Sequence, residues 1–349
     1  MNKKQPSTGG AFFLIKGWMN ARVFDMPVLL IVAALLSVLV APLFLGSYGQ
    51  RVVATAFMYL ALAQSWNLIG GYAGLMSLAM PAFFGTGAIV TAVMVVNGVM
   101  PVLAVFGGVA AAIAIAALIG SPTLRLQGHY FVVATLLITE ALRNLVLNVN
   151  AFGFSGGTAL NLFNATSLGK LDTREFNLFF YFLLLFLALA AMATVVAFER
   201  SRSGYALRSI RDNERAARAL GIAAAREKMF VFLVSSGMTA MVGAVWAFWL
   251  GAVETNEAFS FRLTFDVIVM VFLGGRGTVW GPVAGVALLV TINETIGVEF
   301  PELHMVIAGV LVGLVVLFQP DGLASAFRHG VSAFAPSRLL DNLRRHLVK

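Results

Sequence analysis

Cysteine is absent from the 349 residues. Its absence excludes a disulfide framework, thiolate metal sites and a cysteine nucleophile, and says nothing of compartment. Charge is scarce as well: 11% of residues are Asp, Glu, Lys or Arg, against roughly 25% in a soluble domain. The four histidines, His129, His304, His329 and His346, are scattered without metal-site spacing. A Gly-x-x-x-x-Gly-Lys-Ser/Thr phosphate loop is missing too; the Gly169-Lys170 pair is followed by Leu171 and has the wrong upstream spacing. These gaps argue against an enzyme, against a metal or other cofactor, and against ATP binding by this chain itself.

What is present is mostly apolar, with 60% of residues hydrophobic. Runs able to cross a hydrocarbon core about 30 Å thick, which takes about 20 helical residues, recur along the chain. Backbone groups in a bilayer must be satisfied within each segment, and these runs are continuous rather than short and alternating, so they read as helices and not as a barrel. The fold expected is an all-α, polytopic bundle of ten membrane segments: 27–46, 51–69, 74–97, 101–120, 129–149, 176–198, 228–250, 263–275, 279–297 and 301–318. Segment 74–97 holds Pro81, Gly85 and Gly87, and segment 263–275 has only 13 residues, so either suits a broken or re-entrant helix. Residues 1–26 form an N-terminal segment, 27–320 the membrane domain, and 321–349 a basic tail. The basic start lacks an apolar core followed by a small-residue cleavage site, so it does not read as a removable signal peptide.

Orientation follows from the basic residues, which are in excess on cytoplasmic loops. With both termini cytoplasmic and ten alternating crossings, 19 of the 24 Lys and Arg fall inside, eight of them in the loop 199–228. Outside lie Arg51, Arg143, Lys170, Arg174 and Arg262 among several acids. The net charge of +8 is therefore a topology signal. A nucleic-acid partner would need a folded basic face with base-reading groups, and none is present.

The loop 199–228 is the one long charged stretch. From Ser203 to Leu220 it contains no proline and a single glycine, which predicts a helix of about four turns. Arg208, Arg211, Arg215 and Arg218 are spaced 3, 4 and 3 apart, forming one stripe beside an apolar stripe of Leu207, Ile210, Ala217 and Leu220. Gly221 is placed to end the helix. By composition such a helix can lie on membrane lipid or dock on another protein.

Two polar groups interrupt the apolar spans. Glu140, Arg143 and Asn144 fall at i, i+3 and i+4 on one helical face. Intramembrane charges are costly and face the bundle interior, so they are candidates for a solute pathway, with a structural ion pair as the plainer reading. Asn67 with Gly70, Gly71, Tyr72 and Gly74 forms the second group, where a glycine-rich break frees backbone groups for a zwitterion or allows close helix packing. Leu68-Ile-Gly-Gly and Leu273-Gly-Gly each reach a proline soon after, Pro81 and Pro282, a hint of an internal repeat that one pair does not establish.

The run Ile210-Arg-Asp-Asn-Glu-Arg-Ala-Ala-Arg-Ala-Leu-Gly-Ile222 resembles the cytoplasmic loop of permease subunits of bacterial ATP-binding-cassette importers, and more narrowly of the branched-chain amino acid permease family. Five further pieces match in order: Ser65–Leu78, Phe83–Ala88, Leu124–Phe131, Ser155–Thr158 and Phe272–Pro282. The chain departs from the family pattern at Ser77-Leu-Ala-Met-Pro81 and Phe154-Ser-Gly-Gly-Thr158, which leaves the solute open among branched-chain amino acids, urea, short amides and aromatic acids. The resemblance implies inward, ATP-driven transport across a bacterial inner membrane. It implies as partners two separate ATPase subunits, a second homologous permease and an extracytoplasmic solute-binding protein. Arg208, Arg211, Asp212, Glu214, Arg215, Arg218 and Gly221 would then belong to the helix on which the ATPase acts. The rival expectation is an ion-coupled transporter or channel relaying through Glu140, Asp266 and Glu294.

Overall fold

The structure, a computed structural model, describes residues 37–126, 128–148, 160–162 and 172–296. Two units divide the chain at Gly49; of the first, residues 37–44 are helical. Helix α1 (Ser47–Trp66) widens at its end into a π-helical turn, Asn67–Tyr72. There follow α2 (Met80–Val96), α3 (Pro101–Thr123), α4 (His129–Asn148), α5 (Thr173–Arg200), α6 (Arg202–Ala219) and α7 (Ala224–Leu250). After α7 come the short α8 (Thr255–Ala258), then α9 (Phe261–Gly274) and α10 (Gly281–Ile296). One two-residue antiparallel pair joins β1 (Leu160–Asn161) to β2 (Ala252–Val253).

Among the described residues, five helices are long and apolar enough to cross a membrane: α1 with its π turn (26 residues), α3 (23), α4 (20), α5 (28) and α7 (27). Their burial ranks them. α1 and α7 are each 61% buried and form the centre, whereas α3 and α4, at 22% and 17%, turn apolar side chains such as Phe106, Leu118, Leu137 and Leu145 outward. α2, α3 and α7 pack against one another, and α9 packs on α10. The approach of α2 to α7 is close enough to require glycine on both: a Cβ at Gly87 would meet the Ala240 carbonyl at 2.2 Å, and one at Gly243 the Phe84 carbonyl at 2.2 Å.

The expected third segment, 74–97, is helical only from Met80. Residues 73–79 are non-helical, and side chains of neighbouring helices bond their backbone at Ser77 and Leu78. Trp66 Nε1 donates to the Ser77 carbonyl (2.9 Å), Thr135 Oγ1 accepts from Leu78 N (3.0 Å), and Thr139 Oγ1 donates to the Leu78 carbonyl (3.2 Å). Irregular backbone in an apolar bundle persists on this condition. The eighth segment is an uninterrupted 14-residue helix, Phe261–Gly274, about 21 Å long at 1.5 Å per residue. Expectations for 1–26, most of 27–46, 301–318, 321–349 and Ser155–Thr158 lie outside the described residues.

Candidate functional site

Helix α6 begins on Ser201, whose side chain accepts from Gly204 N. Leu207, Ile210 and Ala217 are buried against Leu68, Tyr72, Val195, Phe198, Val231 and Val279. The amphipathic pattern thus seats the helix on the end of the bundle. Two expectations are corrected. Leu220 is 82% exposed and does not belong to the apolar face. The four-turn helix is not continuous: Asn213 takes an extended conformation (φ −158°, ψ 101°), and its Oδ1 accepts from Ala216 N at 3.1 Å. That is the geometry of an N-cap, so Asn213 starts a second short helix and Glu214 sits in its first turn. The helix ends as a Schellman motif: Ile222 N bonds the Ala217 carbonyl (3.1 Å) and Gly221 N the Arg218 carbonyl (3.0 Å). Gly221 has φ +86° with open space around it, so only the backbone resists a side chain. Gly221→Ala is expected to cost about 1–2 kcal/mol of local stability, seen as faster hydrogen exchange of the 216–222 amides with the spans unaffected.

The break divides the arginine stripe. Arg208 and Arg211 turn toward the end of α1, where the π turn leaves carbonyls available. Arg208 Nη2 donates to Glu199 Oε1 (2.6 Å) and its guanidinium lies 5.3 Å from the Tyr72 ring centroid. Arg211 Nη1 donates to the Gly71 carbonyl (2.8 Å), and Arg211 Nε lies 3.5 Å from Asp212 Oδ1. Beyond Asn213, Glu214 is gripped by Arg218 and Lys228, each at 2.6 Å, and the Lys228 side chain is only 5% exposed. Arg215 is exposed. Burial alone would raise the Glu214 pKa, but the hydrogen bonds and charges of Lys228 and Arg218 outweigh it and hold the carboxyl below its usual range. A depressed acid contributes stability that is complete above the unfolded value, about 4.3, and is lost as pH falls through the folded one. Hydrogen exchange of residues 214–219 should therefore be flat from pH 8 to about 5 after correction for intrinsic rates, and rise only below about pH 4.

A third segment closes the site. Asn67, fully buried, donates from Nδ2 to the Thr278 carbonyl (2.9 Å) and accepts at Oδ1 from Gly277 N (2.8 Å). Gln64 Nε2 donates to the Val279 carbonyl at 2.7 Å. Gly71 lies between these partners: a Cβ there would stand 2.1 Å from Asn67 Oδ1 and 2.5 Å from Gly277 N. The glycine-rich turn after α1, the glycine-rich loop between α9 and α10, and the first half of α6 are thereby one hydrogen-bonded unit. All three are segments that the basic-residue count puts on one side of the membrane.

Glu140, Arg143 and Asn144 share a face of α4, as their spacing requires. Arg143 pairs with Glu140 and donates to Asn256 Oδ1 of α8 (3.0 Å), while Asn144 Nδ2 donates to Glu140 Oε1 (3.1 Å). Among the described residues this group shares no hydrogen-bond partner with Asn67, Gly71 or Tyr72. Asp266 accepts from Tyr59 Oη at 3.4 Å, and Glu294 is half-buried on α10. Sequence reasoning passed over a belt of hydroxyls at mid-span. Ser65 Oγ donates to the Ser235 carbonyl (2.8 Å) and lies 2.7 Å from Thr239 Oγ1, Ser235 Oγ returns a bond to the Ser65 carbonyl (2.8 Å), and a cavity of about 10 Å³ beside them is also lined by Trp66, Ser77 and Phe83. The signal was there, as isolated Ser and Thr inside apolar runs, where they bond across helices.

Residues 48–316 match the family described as branched-chain amino acid transport system / permease component. The chain belongs to this family. As a permease component of this kind it is a multi-pass membrane protein and not itself an enzyme. It is 30% identical over 325 residues to the high-affinity branched-chain amino acid transport system permease protein LivM of Salmonella typhimurium and to that of Escherichia coli, covering 84% of this chain and 74% of each relative. A probable branched-chain amino acid transport permease protein LivM of Methanocaldococcus jannaschii is 24% identical over 216 residues, 58% of this chain and 61% of the relative. No solved structure matches the chain.

Proposed function

We propose that this permease carries a branched-chain amino acid, or a related small solute such as urea, a short amide or an aromatic acid, inward across a bacterial inner membrane. It works in a complex with two ATPase subunits, a second homologous permease and an extracytoplasmic solute-binding protein. Ten membrane segments place both termini in the cytoplasm. The α6 element, Arg208 to Gly221, is the part on which the ATPase pushes.

One observation carries the coupling: the bond from Arg211 to the Gly71 carbonyl, continued through Asn67 to Gly277 and Thr278. A displacement of α6 is transmitted through these contacts to the broken end of α1 and to the α9–α10 loop. Rigid contacts of this sort, rather than surface charge, are what a mechanical coupling needs. The orientation has support from the opposite end, where segments expected outside also meet: β1 pairs with β2, and Arg143 bonds Asn256. An ion-driven relay through Glu140, Asp266 and Glu294 has less behind it. Glu140 is occupied by Arg143 and Asn144, and Asp266 by Tyr59.

The missing cysteines make a direct test simple. Asp212, whose side chain is 74% exposed at the break in α6, can be replaced as Asp212→Cys to give a single thiol. Oxidative cross-linking to cysteines scanned over the ATPase surface should give one adduct whose yield changes with nucleotide. No adduct at any position, with the complex assembled and active, contradicts the docking role.

A further inference from the structure

Between the first turn of α6 and the first turns of α7 lies a cavity of about 370 Å³, lined by Ser203, Arg226, Glu227, Met229, Phe230 and Leu233. None of these residues takes part in the contacts described above. Phe230 is 49% exposed and stacks on Phe198 with ring centroids 5.5 Å apart, so the cavity opens at the perimeter of the bundle. Its lining runs from charged to apolar along one helix. From Arg226 to Leu233 is about 10 Å of rise, the step from a headgroup layer into acyl chains. The stretch 199–228, which holds α6 and the start of α7, carries eight Lys and Arg, more than any other loop of the chain, which sets this step at the cytoplasmic surface of the membrane.

The charges of the lining are specific. Arg226 enters none of the ion pairs among the described residues, and a cation in the first turn of a helix opposes the helix dipole. Glu227 suits that turn, but its Oε2 is buried with no hydrogen-bond partner, which the dipole does not explain. A buried carboxylate oxygen without a donor is costly. The terminal torsion of a glutamate is soft, so a donor arriving from the cavity side can engage the carboxylate. The site therefore offers a cation and a hydroxyl for a phosphate, an acceptor for an ammonium, and aromatic and aliphatic surface for a chain.

We propose that this cavity seats a phospholipid with a primary ammonium headgroup, of the phosphatidylethanolamine type. The phosphate bonds Arg226 and the Ser203 hydroxyl, the ammonium bonds the Glu227 carboxylate, and one acyl chain lies over Phe230 and Leu233. Basic pockets at the cytoplasmic ends of membrane helices hold lipid headgroups by this chemistry. The acid distinguishes the site from one for a purely anionic lipid. Bound there, the lipid ties the start of α6 to α7.

The test uses the purified full-length protein, delipidated in detergent and titrated separately with phosphatidylethanolamine, phosphatidylcholine and phosphatidylglycerol, with bound lipid counted by native mass spectrometry. Phosphatidylethanolamine should bind about tenfold more tightly than phosphatidylcholine, whose trimethylammonium has no N–H to donate; one charge-assisted hydrogen bond carries a difference of that order. Glu227→Gln should erase that preference, and Arg226→Ala should weaken both lipids about tenfold. Equal binding of the two by the unaltered protein overturns the proposal and requires no variant to fold. So does tighter binding of phosphatidylglycerol, which marks an unspecific basic surface, or a preference that survives Glu227→Gln.

Discussion

Replacing Glu214 with arginine is expected to abolish solute-stimulated ATP hydrolysis by the assembled complex while leaving the protein inserted in the membrane. Glu214 accepts from Arg218 and from Lys228, and the Lys228 side chain is 5% exposed. Glu214→Arg leaves that ammonium buried with a second cation beside it. Breaking a buried pair by removing one partner costs about 3–5 kcal/mol. The short helix beyond Asn213 is fixed to α7 by this pair and seated by Ala217, so it is expected to detach. Insertion depends on the apolar spans, which the change does not touch. Glu214→Gln retains the shape and one acceptor, and should leave an intermediate stimulation. Hydrolysis measured in proteoliposomes with ATPase and solute-binding protein decides the point; full stimulation in Glu214→Arg contradicts the coupling role of this segment.

The second large effect is expected at Gly71. In Gly71→Val the first side-chain carbon would fall 2.1 Å from Asn67 Oδ1 and 2.5 Å from Gly277 N. Those two atoms are hydrogen-bonded to each other at 2.8 Å, so neither can yield without losing the bond. Movement of the Gly71 backbone also strains the bond from Arg211 to its carbonyl. Each lost bond, only part-buried, costs about 0.5–1.5 kcal/mol, and here both lie on the route from α6 to α1 and the α9–α10 loop. Uptake should fall to background in cells that hold normal amounts of the protein in their membranes. Arg211→Ala removes only one of the bonds and should reduce uptake less. Gly46→Ala, where a Cβ meets nothing within 4 Å, serves as the silent control. Normal uptake by Gly71→Val would show that the contact is not part of the transport cycle.

The long spans were legible because an apolar run of 20 or more residues has few alternatives, and 101–120 and 129–149 became helices Pro101–Thr123 and His129–Asn148. The broken third segment was legible for the wrong reason. Pro81, Gly85 and Gly87 raised the suspicion, yet Pro81 occupies the first turn of α2, where proline is tolerated, and Gly87 serves close packing against α7. The break precedes them, at residues 73–79, where Thr135, Thr139 and Trp66 hold the backbone. In α6 the periodicity of Leu207, Ile210 and Ala217 was sound, but Asp212-Asn213 carried an N-cap signal in the middle of the run that a four-turn reading overrode. The contacts that make the site lay beyond sequence pattern altogether. Arg211 and Gly71 are 140 positions apart, and Asn67 and Gly277 are 210; periodicity reports which face a residue occupies and not what that face meets.

On the proposed function, energy reaches this permease from separate ATPase subunits, through α6. Reconstituted vesicles test it most directly, with the solute-binding protein on one side and labelled branched-chain amino acid as solute. With the second permease and the ATPase subunits present, the solute should accumulate against its gradient only when ATP is supplied, and an imposed proton gradient should have no effect. Accumulation by the permease without any ATPase, driven by the proton gradient alone, would contradict the account.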